Sequence, residues 1–288
     1  MLVILFRLLA HLPLPLLHAL GVLLGWLVYW GAAGYRKRMR KHLEFAGFLP
    51  QLSAAISEAG KSLFELPFVW CANETRVQNS FQVENWALVQ SYLDAGRGII
   101  FLTPHLGCFE LTAQAIAQHT RLTVMYRPPR KAALKPLVEG ARARHNLELA
   151  PANLAGVRIL AKTLKQGQCI GLLPDQTPNQ GEGVWANFFG HPAYSMTLPA
   201  KLKKMGNAAF ILTYAERLPW GRGFIIRFAT FDEDLTGDAA QQARAINAAM
   251  ENLIARCPAQ YVWSYNRYKT PPGVNGPDRS TEANQGKE

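Results

Sequence analysis

The sequence predicts an α/β fold: a mixed, largely parallel central sheet flanked by helices, with an N-terminal membrane-anchoring helix. Three observations carry this reading. Short, continuous apolar runs such as Gly98-Ile-Ile-Phe-Leu-Thr103 alternate with helix-forming stretches, the pattern of buried parallel strands joined by crossover helices. A chain of 288 residues with 49% hydrophobic side chains has ample material for its own core, which excludes a disordered or low-complexity polymer. Finally, no Lys, Arg, Asp or Glu occurs from Leu8 to Tyr35.

That first segment, residues 1–35, reads as the anchor. About 20 apolar residues cross a bilayer as a helix, so the run is near the minimum for a full crossing and also suits a slanted insertion. Pro13 and Pro15 set its start. Only Arg7 precedes the apolar run, whereas Arg36, Lys37, Arg38, Arg40 and Lys41 follow it. This is the reverse of a secretory signal, and by the positive-inside tendency it leaves the rest of the chain in the cytoplasm, with the basic cluster against anionic headgroups. The alternative is a buried helix hairpin of a soluble protein.

Residues 36–270 form the α/β domain. Helices are expected over 50–70 and 84–95, a strand over 98–103, a helix over 110–118 and a strand over 122–126. A helix near 131–145, a strand over 147–150, a helix over 154–166 and a strand over 169–173 follow. Beyond them come a Gly-rich loop over 177–193, a helix over 197–205, strands over 208–216 and 223–231, and a helix over 239–256. Pro, Gly, Asn and charges make residues 271–288 a disordered tail.

A net charge of +11 requires an anionic partner, whether nucleic acid, membrane or acidic substrate. Nucleic acid is the poorer fit, because the basic residues cluster beside the apolar segment instead of interleaving with aromatics. The four cysteines show no CxxC spacing, which argues against a zinc knuckle or a disulfide scaffold and for a reducing compartment. No GxSxG elbow occurs, so a serine hydrolase lacks support.

Ligands of open α/β sheets bind beyond the carboxyl ends of the strands, and Thr103-Pro104-His105-Leu106-Gly107-Cys108-Phe109-Glu110 lies at such an end. On a regular helix His105 and Glu110 would point about 140° apart. A turn at Gly107 brings Glu110 back to accept from one ring nitrogen, leaving the other as a general base. The competing reading is a helix-start carboxylate beside a structural histidine. Cys108, three residues from His105, offers covalent catalysis as a further alternative to a buried small residue.

Beyond this stretch, MYRP at 125–128, LLPDQTP at 172–178, NFFGHPA at 187–193 and QYVWSYNRYKTPP at 260–272 complete an ordered set. Together with PHLGCFE at 104–110 and the apolar first helix, they resemble the glycerolipid-type acyltransferases. More specifically, they look like the late lauroyl- or myristoyl-type acyltransferases of bacterial lipid A synthesis. The resemblance runs to about Pro272 and departs at Cys108, where the family often has Asn. It implies His105 as general base with Glu110 as its orienting partner. It also implies Arg127 and Asp175 beside the substrate, and Phe188, Phe189 and Gly190 lining an acyl channel. The donor it implies is acyl-acyl carrier protein, and the acceptor is a hydroxyl of a lipid A precursor glycolipid. A lysophospholipid or ornithine-type lipid is the alternative acceptor. No metal and no cofactor are implied, and the enzyme would work at the inner membrane with its catalytic domain on the cytoplasmic face. Arg267 and Lys269 either meet substrate phosphates or form a solvated face.

Overall fold

The computed structural model describes residues 2–127, 135–142 and 146–277. Its centre is a seven-stranded sheet in the order β1-β9-β8-β2-β5-β3-β4. The strands are β1 (Phe81–Val83), β2 (Ile99–Leu102), β3 (Leu122–Tyr126), β4 (Leu147–Pro151), β5 (Cys169–Leu172), β8 (Ala209–Arg217) and β9 (Phe224–Thr230). Strands β8, β2, β5, β3 and β4 run parallel, β9 is antiparallel to β8, and β1 pairs parallel with β9. The mixed, largely parallel sheet is therefore present.

Strand alternation divides the core into two layers. Ile100, Leu102, Ile170, Leu172, Phe210 and Leu212 face one side. There they meet α9 (Leu154–Lys165), α10 (Leu198–Gly206), α11 (Ala239–Ile254) and part of α3 (Ala33–Phe45). Ile99, Phe101, Leu122, Cys169 and Ile211 face the other, against α6 (Trp86–Asp94), α7 (Phe109–Ala117) and the end of α4 (Leu52–Cys71). The remaining helices are α1 (Leu2–Leu9), α2 (Leu14–Gly31), α5 (Glu74–Gln78) and α8 (Lys135–Arg142). Only 135–142 of the helix expected near 131–145 lies within the described residues.

The Gly-rich loop expected over 177–193 is replaced in large part by an antiparallel hairpin of β6 (Gly183–Phe188) and β7 (His191–Met196). The glycines and Pro192 mark its ends and turn, and they hide the short alternation between them. Within the span expected as a tail, the Gly273 and Asn275 carbonyls accept from Gln180 and Trp185 at 2.8 and 2.9 Å. Residues 278–288 lie outside the described residues.

Residues 2–31 of the anchor segment form two helices: α2 starts directly after Pro13, and Pro15 sits in its first turn, where proline is tolerated. Helix α2 has the length and apolarity of a membrane helix, yet it lies along α4. Gly21 and Gly25 allow this approach; a Cβ on the facing Gly60 would stand 1.9 Å from the Gly21 carbonyl oxygen. Leu16, Leu23, Leu27 and Trp30 of α2, with Ile4, Leu5 and Leu8 of α1, remain exposed. One side of α2 thus belongs to the protein core, while its other side and α1 present an apolar surface. Of the basic cluster, Arg36 donates to the last carbonyls of α2 (Tyr29 and Trp30) and Arg38 to the Ser264 carbonyl, while Lys37, Arg40 and Lys41 face outward.

Candidate active site

Strands β2 and β5 are neighbours with Leu102 opposite Leu172, so the residues three positions beyond each, His105 and Asp175, emerge side by side at the carboxyl edge. Backbone bonds fix the loop that carries His105. The Gly107 N–H donates to the Gln260 carbonyl at 3.1 Å, the Cys108 N–H to the Ala215 carbonyl at 2.9 Å, and the Val262 N–H to the His105 carbonyl at 3.1 Å. Gly107 has φ +62°, and a Cβ there would stand 1.9 Å from the Ala215 oxygen. Only glycine fits this turn.

Asp175 holds His105 at two points. One carboxylate oxygen lies 2.8 Å from the ring Nδ1 and the other accepts from the His105 backbone N–H at 2.9 Å. An ionised carboxylate only accepts, so the proton belongs on Nδ1. Nε2 then carries the lone pair and accepts from the Gln176 amide at 3.0 Å. Burial opposes ionisation of Asp175, but the ring and backbone hydrogen bonds from His105 favour the charged form, and the carboxyl lies below its usual range. Burial and then the Asp175 charge push the phenol of buried Tyr261 well above the ordinary value.

The expected His105–Glu110 pairing is therefore not what forms, because the two ring nitrogens are taken by Asp175 and Gln176. Glu110, at the first turn of α7, instead accepts from the Trp70 indole N–H at 3.1 Å. Trp70 in turn stacks on Phe6 of α1, with ring centroids 5.9 Å apart. Arg127 is exposed just past β3, on the same rim but two strands from β2, about 10 Å away at ordinary strand spacing.

Phe188 is not in an open loop. It ends β6 inside the core, 1% exposed, and Phe189 and Gly190 form the hairpin turn with φ +47° and +74°. Phe189 packs against Phe48 and Trp263. Arg267 is also internal, at 2% exposure, donating to the Tyr194 carbonyl and Ser195 Oγ at 2.7 and 2.6 Å beneath the Phe188 ring. A guanidinium so enclosed does not reach a substrate phosphate. Lys269 is exposed, its Nζ 5.3 Å from the Tyr265 ring centre.

Cys108 is buried, and burial, followed by the neighbouring Glu65 charge, raises its thiol well above the usual value. A protonated, enclosed thiol is a poor nucleophile, which removes the covalent alternative. Gln176, Tyr261 and Trp70 escape sequence reasoning. Gln176 and Tyr261 lie within quoted motifs, whereas Trp70, forty residues before Glu110, gives no local signal.

Set against known proteins, residues 1–270 match the family model described as bacterial lipid A biosynthesis acyltransferase. The chain belongs to this family. It is 26% identical over 276 residues to a lipid A biosynthesis palmitoleoyltransferase of Escherichia coli K12, covering 91% of this chain and 88% of the relative. To the lauroyltransferase of the same organism it is 24% identical, with 92% and 89% covered. A lipid A biosynthesis acyltransferase of Haemophilus influenzae Rd is 25% identical over 288 residues, with 96% and 91% covered. The protein is an acyltransferase of lipid A biosynthesis, and its sheet-edge imidazole must be considered in that light.

Proposed function

We propose that the enzyme transfers a fatty acyl chain from the thioester of acyl carrier protein to a hydroxyl of a lipid A precursor, with His105 as general base. What supports this is the neutral imidazole fixed by Asp175, with the lone pair of Nε2 turned away from its carboxylate partner toward Gln176 at the sheet edge. The acceptor hydroxyl replaces the Gln176 amide at Nε2. As its oxygen attacks the thioester carbonyl carbon, its proton passes to Nε2. Collapse of the tetrahedral oxyanion breaks the C–S bond, and the proton on Nε2 goes to the leaving thiolate. The positive end of α7 and the Arg127 guanidinium oppose the oxyanion charge. Glu110 acts on the substrate side, its carboxylate oriented by Trp70.

The net charge of +11 suits both an acidic carrier protein and a phosphorylated lipid on an anionic surface. The outer faces of α1 and α2 lie in the inner membrane from its cytoplasmic side, in keeping with the basic residues that follow α2.

The test is transfer by purified protein in detergent, with acyl carrier protein thioesters of several chain lengths and a lipid A precursor lacking secondary chains, read by product mass. His105→Ala should lower turnover by about 10²–10⁴-fold with an unchanged unfolding temperature. Wild-type turnover in that variant would overturn the mechanism. Acylation of lysophospholipid or ornithine lipid, with the precursor untouched, would overturn the acceptor.

A further inference from the structure

The turn between β8 and β9 is rigid, strained and outward-facing. Trp220 adopts φ 61°, ψ 22°, a left-handed conformation unfavourable for a bulky side chain, and its indole is 85% exposed. The turn is not loose. Leu218 N–H donates to the Gly223 carbonyl at 2.9 Å, and Gly221 lies so close to the start of α2 that a Cβ would meet Pro15 N at 2.5 Å. Strain and exposure are thus built in at one place, where the apolar helix begins.

The surroundings indicate what the indole meets. The turn meets α2 at Pro15, next to exposed Leu16, with exposed Leu23, Leu27 and Trp30 further along the same helix, and the Arg76 guanidinium holds the link between α1 and α2 by donating to the Ala10 and Leu12 carbonyls, both at 2.5 Å. Between the turn and α5 runs an open groove of about 620 Å³, bordered by Pro13, Pro15, Arg76, Asn79, Ser80 and Arg222. Two arginines border it, and Arg222 is exposed. An amphipathic ring beside an apolar surface, with cations next to it, matches the interfacial zone of an anionic bilayer.

We propose that the β8–β9 turn is a second lipid-contacting element, in which Trp220 seats among the headgroups and Arg222 binds the phosphate of an anionic phospholipid. This rests on the reading that α1 and α2 lie in the membrane. It has a consequence for catalysis, because β8 carries Ala215, whose carbonyl accepts from Cys108 in the His105 loop. Seating the turn fixes the height of the active-site opening above the lipid.

The experiment is vesicle co-sedimentation of the full chain, with phosphatidylcholine alone or mixed with phosphatidylglycerol, together with quenching of tryptophan fluorescence by brominated lipid. Trp220→Gly should weaken binding to both vesicles by about ten-fold and lose part of the quenchable emission, while its unfolding temperature rises because glycine relieves the left-handed strain. Arg222→Ala should weaken binding only to the anionic vesicles, and salt should abolish the difference. In both variants KM for vesicle-borne acceptor should rise while KM for the thioester stays unchanged. Wild-type binding and quenching in Trp220→Gly would overturn the proposal. Competition by inorganic phosphate at equal concentration, erasing the Arg222 effect, would overturn the headgroup site. Failure of the wild-type chain to bind either vesicle would overturn the membrane reading and this proposal with it, whereas retained wild-type binding with indifferent variants would overturn this proposal alone.

Discussion

Two imidazole–carboxylate pairs flank the loop that carries His105, and they do opposite things. His18 Nε2 lies 2.7 Å from Glu65, deep between α2 and α4, and the same carboxylate receives Nε and Nη2 of buried Arg217. Arg217 also donates to Glu58 at 2.5 Å and Ser62 at 2.9 Å. His105 meets Asp175 at a similar distance, but its side chain keeps 18% exposure, and its other nitrogen meets only a neutral amide. In the first pair a guanidinium consumes the carboxylate charge, so the cluster joins the first helices to β8. In the second, the carboxylate holds an imidazole that stays partly exposed, the one to which the proposed mechanism brings the acceptor hydroxyl. A buried carboxylate beside histidine therefore does not by itself mark a catalytic pair.

Breaking the structural pair should have the largest effect on stability. Glu65→Leu removes the two-point carboxylate clamp on buried Arg217 and leaves its charge to Glu58, which should cost about 3 kcal/mol, read as a fall of several degrees in unfolding temperature in detergent. Glu65→Leu with Arg217→Met should recover part of it. Acid sharpens the contrast. Burial opposes ionisation of Glu65, yet Arg217 holds its pKa down to about 2, against an ordinary 4.5. A depressed carboxyl contributes stability fully above its unfolded value and loses it as pH falls through the folded one. Wild type should therefore weaken steadily between about pH 4.5 and 2, and Glu65→Leu should lose much of that slope. An unchanged acid profile in the variant would break the comparison.

Glu110 should give the smallest effect. It accepts from the Trp70 indole, and a glutamine oxygen can accept the same proton. Glu110→Gln should cost about five-fold in kcat/KM, with Glu110→Ala costing more. Equal losses would show that the charge itself is required.

The sheet was readable because its strands are continuous apolar runs; 98–103, 122–126 and 169–173 hold β2, β3 and β5. The loop of His105 was readable because strand, glycine turn and helix follow in sequence. Asp175 as the partner of His105 was not, since it depends on β2 and β5 being neighbours, and strand order is set by packing across 70 residues. His18 with Glu65 was hidden likewise, inside an apolar helix that composition alone assigns to lipid. The three residues of β1 are too few to show a period.

The central claim is that Asp175 acts through His105, and a double-mutant cycle on acyl transfer tests it most directly. Asp175→Asn should lower kcat/KM by about 10²-fold or more, and His105→Ala by at least as much. The double variant should then be no slower than His105→Ala alone, because a residue that only orients the ring has nothing left to orient. Losses that multiply in the double variant, or an Asp175→Asn enzyme with wild-type kcat/KM, would contradict the account.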